Sequence, residues 1–267
     1  MDLRCRKFIK NISHIVNLMK NVARNVRVVL YKPILNRRYF ITGFHGIGLV
    51  GHISVRYLIS ALNCERVGYI EMSEEPAYCG YVLNQDNITT PGELYHSEKC
   101  GVTIFMANWG FFEKLMYPLT RILVGWVIEN GYEMSILFGG LDSETRGNDP
   151  SPLRVVTTTK FKQLNISKCD AKEMDLFFNV VGPLALMLSE FERNSFPAIA
   201  ILPYAYKWRA DPSAAAVGIE YFSKCFNVPV DIQKLRELAT KYEEELLQIK
   251  KAIEEEQKRR EGTPYYI

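Results

Sequence analysis

The sharpest chemical signal in this chain is three glycines spaced Gly46-x-Gly48-x-x-Gly51. They follow an apolar stretch, Tyr39–Phe44, that reads as a strand, and they open an apolar pattern of helical period that runs to about Leu62. Glu71 stands at the end of the next strand, Arg66–Ile70. Strand, glycine turn, helix and acid in this order form the dinucleotide-binding pattern. The glycines let backbone amides approach a pyrophosphate at a helix N-terminus, and the acid holds a ribose hydroxyl. Two features count against it here. The strand already breaks at Gly43, before the tight first turn, and the motif sits on the second strand, behind an N-terminal extension. The same glycines also serve close strand–helix packing and a turn with positive φ. Packing is the reading adopted. A nucleotide-binding enzyme using Gly46, Gly48, Gly51 and Glu71 is the alternative.

Other reactive side chains do not assemble. His14, His45, His52 and His96 have no metal-ligand spacing with one another or with cysteine. No Gly-x-Ser-x-Gly elbow activates a serine. Asp142, Glu144 and Asp149 fall in a loop after a buried strand, but Asp, Ser, Gly, Asn and Pro are also what turns are made of. The run Tyr204-Ala205-Tyr206-Lys207-Trp208-Arg209 has the composition to stack a base, and a surface loop or subunit contact is the simpler reading. Nucleophile, base and oxyanion donor are not found together, so the chain is expected to be non-enzymatic, with no cofactor and no metal.

The remaining candidate is the C-terminal run Glu261-Gly262-Thr263-Pro264-Tyr265-Tyr266-Ile267. Gly262 and Pro264 both stop a helix, leaving a short arm with two aromatics, a β-branched aliphatic and a carboxylate. Capture of a C-terminal carboxylate with its last side chains is a recurring recognition mode. Folding of the arm back onto its own domain is the other outcome, and composition alone does not choose.

The elements that must position these groups alternate. Strands are expected at Val26–Leu30, Tyr39–Phe44, Arg66–Ile70, Cys79–Leu83, Glu93–His96, Val102–Ala107, Met134–Phe138, Arg154–Thr159 and Ala198–Leu202. Helices are expected to Leu62, over Pro118–Asn130, from Gly182-Pro183 to Asn194, over Ala214–Phe226 behind Asp211-Pro212, and from Ile232 to about Arg260 behind Asp231. The glycine-turn unit is expected to be βαβ with parallel pairing. The last helix carries Leu235, Leu238, Tyr242, Leu246, Ile249 and Ile253 at steps of three and four, a coiled-coil-like seam. Glu254–Glu261 is then wholly polar, with acid-first pairs at i, i+4 that suit a solvated stalk. The fold class expected is α/β: a three-layer α/β/α domain with a mixed, largely parallel sheet, plus a long C-terminal helix.

Length and composition fit this. The 267 residues, 48% hydrophobic and 24% charged with a net charge of +3, describe an ordinary soluble domain rather than a nucleic-acid or membrane binder. Six scattered cysteines read as reduced or buried thiols in a cytoplasmic protein, not a disulfide frame or zinc site. Arg4, Arg6, Lys7, Lys10, Lys20, Arg24 and Arg27 face only Asp2 within residues 1–27, whose apolar positions Phe8, Ile12, Ile15, Met19, Val22 and Val26 share a helical face. A basic amphipathic helix can bind anionic membrane surfaces or act as a transit peptide; this extension is expected instead to pack on the domain or on a neighbouring subunit. The organisation expected is therefore an extension at 1–27, a domain at 28–230, a helix at 231–261 and a flexible tail at 262–267.

These residues resemble a known family. Gly43-Phe44-His45-Gly46-Ile47-Gly48-Leu49-Val50-Gly51 is similar to the Gly-Phe-Pro-Gly-Ile-Gly-Leu-Val-Gly signature of the proteasome assembly chaperones, in their archaeal branch, with His45 in place of proline. Phe138-Gly139-Gly140, the stretch from Gly182-Pro183-Leu184 to Pro197-Ala198, Asp211-Pro212-Ser213-Ala214-Ala215 and Val230-Asp231 extend the resemblance from about Val28 to the C-terminus. It implies an ATP-independent protein that binds the α-subunits of the proteasome core particle and self-associates, as a tetramer or pentamer. It also implies a hydrophobic–Tyr–any-residue tail, with Tyr265 in the hydrophobic place, Tyr266 as the tyrosine and Ile267 at the terminus. In such tails the carboxylate pairs with a lysine between α-subunits and the tyrosine shifts the gate. Assembly factor and activator both need that contact, and an oligomeric scaffold whose tail is idle is the other alternative. Partners are then protein only, with neither nucleic acid nor stable membrane association expected.

Overall fold

The computed structural model describes residues 26–73, 77, 79–82, 87–109, 113–164, 171–175 and 178–261. The strands are β1 (Val26–Leu30), β2 (Tyr39–Gly43), β3 (Glu65–Met72), β4 (Gly80–Val82), β5 (Asn87–Thr89), β6 (Gly92–Ser97), β7 (Val102–Ala107), β8 (Met134–Phe138), β9 (Leu141–Asp142), β10 (Leu153–Thr157) and β11 (Ala198–Ala205). The helices are α1 (Val50–Ala61), α2 (Glu113–Glu129), α3 (Thr159–Gln163), α4 (Pro183–Arg193), α5 (Pro212–Phe226) and α6 (Gln233–Glu261).

One sheet orders its strands β1-β3-β6-β7-β2-β8-β11-β10, with β9 also on β11, and β4 and β5 form a separate hairpin. The centre, β7-β2-β8-β11, is parallel, and β10, β6, β3 and β1 add antiparallel margins. The central strands are covered on both faces, which is why they read as unbroken apolar runs. Tyr39 and Ile41 of β2 enter one core with α1, α3, α5 and the start of α6, whereas Phe40 enters the other with α2 and α4. The period-two alternation of the strand thus divides one apolar run between two layers. The architecture is the expected three-layer α/β/α domain with a long C-terminal helix.

Several expectations are corrected. β2 and β3 point the same way but do not pair, since β7 and β6 lie between them. The α1 crossover skips two places that later strands fill, and local sequence carries no record of that. α2 begins at Glu113, not at Pro118, which sits inside it. At this sixth position the proline removes one helical hydrogen bond and crowds the carbonyl four residues before it, a local cost that the buried apolar face of α2 offsets. α3 was not expected; Thr158 caps it, accepting from the Phe161 amide at 3.4 Å. Cys64, Cys79 and Cys100 are free thiols, but Cys225, buried in α5, is disulfide-bonded. Widely spaced cysteines give no local sign of such a bond. On α6, Leu235 and Ala239 are buried while Leu238 is 58% exposed, so the described seam steps 235, 239, 242, 246 in place of one through Leu238. α6 is turned so that Ala239, one residue on, faces the domain and Leu238 faces solvent.

Among the described residues, no helix is long and apolar enough to cross a membrane.

Candidate functional site

The carboxyl ends of β2, β8 and β11 meet at one rim, and the glycine turn lies in it. A 3-10 turn, Ile47–Leu49, joins β2 to α1, with φ +62° at Gly48 and +50° at Leu49. A Cβ on Gly51 would stand 2.5 Å from the Phe138 carbonyl oxygen and 2.7 Å from the Phe44 nitrogen, and one on Gly43 would stand 2.4 Å from the Gly51 oxygen. These glycines bring α1 down onto β2 and β8. Gly46 is different, with φ −165° and open space around it.

The turn is roofed by the start of α5. The Asp211 amide donates to the Gly48 carbonyl at 2.8 Å, and a Cβ on Gly48 would meet Ala205 Cβ at 2.7 Å and Asp211 Cβ at 3.2 Å. The carboxylate of buried Asp211 accepts from the Ala214 amide at 2.9 Å, capping α5, and from the Tyr206 amide at 3.0 Å. A carboxylate thus sits beside the turn in which a pyrophosphate would have to be held, and like charges there repel.

Glu71 is not brought to this turn. Three strand steps separate β3 from β2, and Glu71 pairs across β1–β3 with Arg27. The alternative set Gly46, Gly48, Gly51 and Glu71 is therefore corrected: the glycines share a turn and the acid lies on another part of the sheet. Sequence spacing matched a fold in which the strands on either side of the glycine-turn helix pair, and here β2 and β3 do not.

His45, where the resembling signature has proline, stacks on His52 with ring centroids 4.1 Å apart. The Nδ1 atoms of both rings are buried without a hydrogen-bond partner. Burial, then the neighbouring His45 and Arg56, push the His52 pKa down to about 4, against the opposing pull of the Ala107 carbonyl. His52 is accordingly neutral at pH 7. Glu93 of β6 is the converse, a carboxylate with a fully buried side chain. Its Oε1 accepts from Arg66 Nη1 at 2.8 Å and the Thr90 amide at 3.1 Å, and its Oε2 from Tyr95 Oη at 2.9 Å and Asn108 Nδ2 at 3.0 Å. With the Thr90 hydroxyl donating to Oε1 at 3.4 Å, five contacts hold a charge out of water, and they tie β6 to β3 and to the end of β7.

Of the acids in the expected turn, Asp142 caps a 3-10 turn, accepting from the Glu144 amide at 3.1 Å, and Asp149 pairs with buried Arg154 and with Lys172. Both act as structural anchors, as the turn reading expected. Among the described residues, no group of three or more His, Cys, Asp or Glu side chains is placed to hold a metal.

The loop after β11 carries a feature that sequence reasoning missed. Arg209 stacks on Tyr206, its guanidinium carbon 3.8 Å from the ring centroid, and makes a bidentate pair with Glu243 of α6 at 2.9 and 3.1 Å. Lys207 lies 3.7 Å from Asp142 and 5.0 Å from the ring of Trp208, whose side chain is left 87% exposed. Both cations of the run are therefore matched to carboxylates, which removes the charge that base stacking on a phosphate backbone would use. Composition singled out the run, but only the return of α6 past the rim supplies its partner.

Helix α6 runs antiparallel to α5. The Asp231 carbonyl accepts from Tyr57 Oη at 2.6 Å, Arg236 meets Glu220 at 2.5 Å, and Glu243 meets Arg209 at the rim. The helix then continues to Glu261. Tyr265, Tyr266 and Ile267 lie outside the described residues, as does the basic stretch up to residue 25.

Known proteins share this arrangement. An uncharacterised protein of Methanocaldococcus jannaschii is 26% identical over 257 residues, covering 92% of this chain and 95% of its own. Pyrococcus furiosus PbaA, an archaeal homologue of proteasome-assembly chaperone, superposes with a TM-score of 0.75 at 21% identity over 89% of this chain and 96% of its own. Pyrococcus furiosus PbaB, described as an archaeal proteasome activator, superposes with a TM-score of 0.70 at 19% identity over 85% and 99%. At such identities the two structures establish the shared fold. The PAC2 family model matches residues 40–250, from the strand before the glycine turn well into the C-terminal helix, and the chain belongs to the PAC2 family.

Proposed function

We propose that this chain is a non-catalytic, ATP-independent proteasome-binding protein of the cytoplasm, acting as assembly chaperone or gate-opening activator through its C-terminal tail. The observation that carries this reading is a PAC2-family domain whose last helix passes the sheet rim and runs to Glu261, six residues before the end of the sequence, Tyr265-Tyr266-Ile267. PbaB, an activator, and PbaA, an assembly-chaperone homologue, share the fold.

The chemistry is that of terminal-carboxylate capture. The α-carboxylate of Ile267 makes a charge-assisted contact with a cationic side chain in a pocket between α-subunits, while Tyr266 and Tyr265 bury aromatic surface there. Each arm binds weakly. A homo-oligomer, tetramer or pentamer, presents several at once and gains avidity without new contacts. The packing role of Gly43, Gly48 and Gly51, and the distance of Glu71 from them, favour this over a nucleotide-dependent enzyme.

The test is peptidase activity of purified archaeal core particle with full-length protein, with Tyr265–Ile267 deleted, and with Tyr266→Ala. Stimulation lost in both variants identifies a tail-driven activator. Association without stimulation identifies an assembly role. No association of any form refutes the proposal.

A further inference from the structure

We infer that the loop Ala205–Asp211 is a latch that sets the direction in which α6 leaves the domain, with Arg209 as the positioning residue. The inference concerns the free protein and deepens the functional reading above, since on that reading α6 carries the tail.

The case begins with how little else holds the distal helix. Leu235 and Ala239 are buried at 3% and 4%, and Tyr242, Glu243 and Leu246 only partly. Among the described side chains of α6, burial thus fades within about three turns. Among the described residues, Glu243 makes the last ion pair from α6 to the body, and Arg209 makes it from the other side. From Glu243 to Glu261 the helix rises a further ~27 Å at 1.5 Å per residue. On a lever of that length, a swing of about 20° at the rim carries the tip about 9 Å sideways. Direction at the latch thus decides where the tail is presented.

The loop is built to resist that swing. Its first residue, Ala205, packs where Gly48 lacks a Cβ, and its last, Asp211, donates its amide to the Gly48 carbonyl. The Asp211 carboxylate holds the Tyr206 amide, and Lys207 reaches Asp142 across the rim. Tyr206 then supplies the ring face over which the Arg209 guanidinium sits, its two nitrogens aimed at both oxygens of Glu243. A stacked, bidentate arginine is fixed in orientation in a way that a lysine is not. Glycine turn, Asp-Pro helix start and C-terminal helix, well separated in sequence, are one mechanical connection. On this account Gly48 and Asp211 are support for a latch.

The test is the distribution of distances between two spin labels, introduced as unnatural amino acids at exposed Glu144 on the rim and at Lys258 on α6, in the full chain. Wild type is expected to give one narrow distribution. Arg209→Ala is expected to broaden it at least twofold with the thermal midpoint and circular dichroism unchanged. The exchange Arg209→Glu with Glu243→Arg is expected to narrow it again, and Arg209→Lys to restore it only in part. An unchanged width in Arg209→Ala overturns the inference, as does a charge exchange that leaves the distribution as broad as the single variant. Core-particle binding by the same variants separates the two readings. A broadened distribution with no binding even by wild type leaves the latch standing and removes the proteasome proposal. Intact binding with an unchanged distribution does the reverse.

Discussion

Replacing Gly51 by alanine tests whether the glycine signature is packing or ligand chemistry. Ordinary contact for a Cβ begins at 3.4 Å, and here the Phe138 oxygen stands at 2.5 Å and the Phe44 nitrogen and oxygen at 2.7 and 2.8 Å. The shortfall is 0.9 Å at its worst, and all three atoms are backbone, in β8 and at the end of β2, with no rotamer to move. α1 must therefore lift from the sheet, opening contacts of Val50, Val55 and Leu58 with the core beneath. Overpacking of this kind costs 1–3 kcal/mol, and backbone on every side puts Gly51→Ala near the top, about 3 kcal/mol. Gly46→Ala is the control: extended backbone and open space predict a change within about 0.5 kcal/mol. The assay is urea unfolding of both variants beside wild type, with the midpoint shift converted through a common slope. Equal stability of Gly51→Ala and wild type, or a Gly46→Ala loss as large as that at Gly51, would refute the packing account.

Two further outcomes follow from buried ionisable groups. The His52 pKa is about 4 in the folded chain against 6.5 as its ordinary value, so between those limits the unfolded chain binds the extra proton and stability falls as pH falls. The ring is only partly buried, so the full linkage is discounted to about 1–2 kcal/mol lost from pH 6.5 to 4; His52→Gln should flatten that slope in urea midpoints, and an identical slope would exclude His52 as its source. Glu93→Ala leaves the donors of Arg66, Tyr95, Asn108 and the Thr90 amide facing one another without an acceptor. It should cost about 3–5 kcal/mol, and a loss under about 1 kcal/mol by calorimetry would mean water replaces the carboxylate freely.

How much of this was legible in the sequence depended on whether the determinant was local. The apolar runs Val102–Ala107, Met134–Phe138 and Ala198–Leu202 read as buried strands because they lie in the centre of the sheet, covered on both faces. Asp211-Pro212 and Asp231 announced their helices because a cap acts within three residues. Pairing order was not legible: Arg66–Ile70 was recognised as a strand, yet nothing in it says that β7 and β6 come between it and β2. The same holds for the latch. Arg209 and Glu243 each look like a solvated surface charge, and only the antiparallel return of α6 along α5 makes them partners. Leu238 and Ala239 both fit steps of three and four from Leu235, and only the packing of α6 on the domain seats Ala239 and leaves Leu238 outside. Tail chemistry rests on residue types and the family resemblance, and the described residues contribute the helix that leads to it.

The most direct test of the central claim is equilibrium binding of the full-length protein to immobilised archaeal core particle, beside the chain lacking Tyr265–Ile267. The account predicts saturable binding by the full-length oligomer and its loss on deleting three residues, with unfolding midpoints unchanged. Equal binding by both forms would place the contact elsewhere on the molecule, and no binding by either would contradict the proposed function outright.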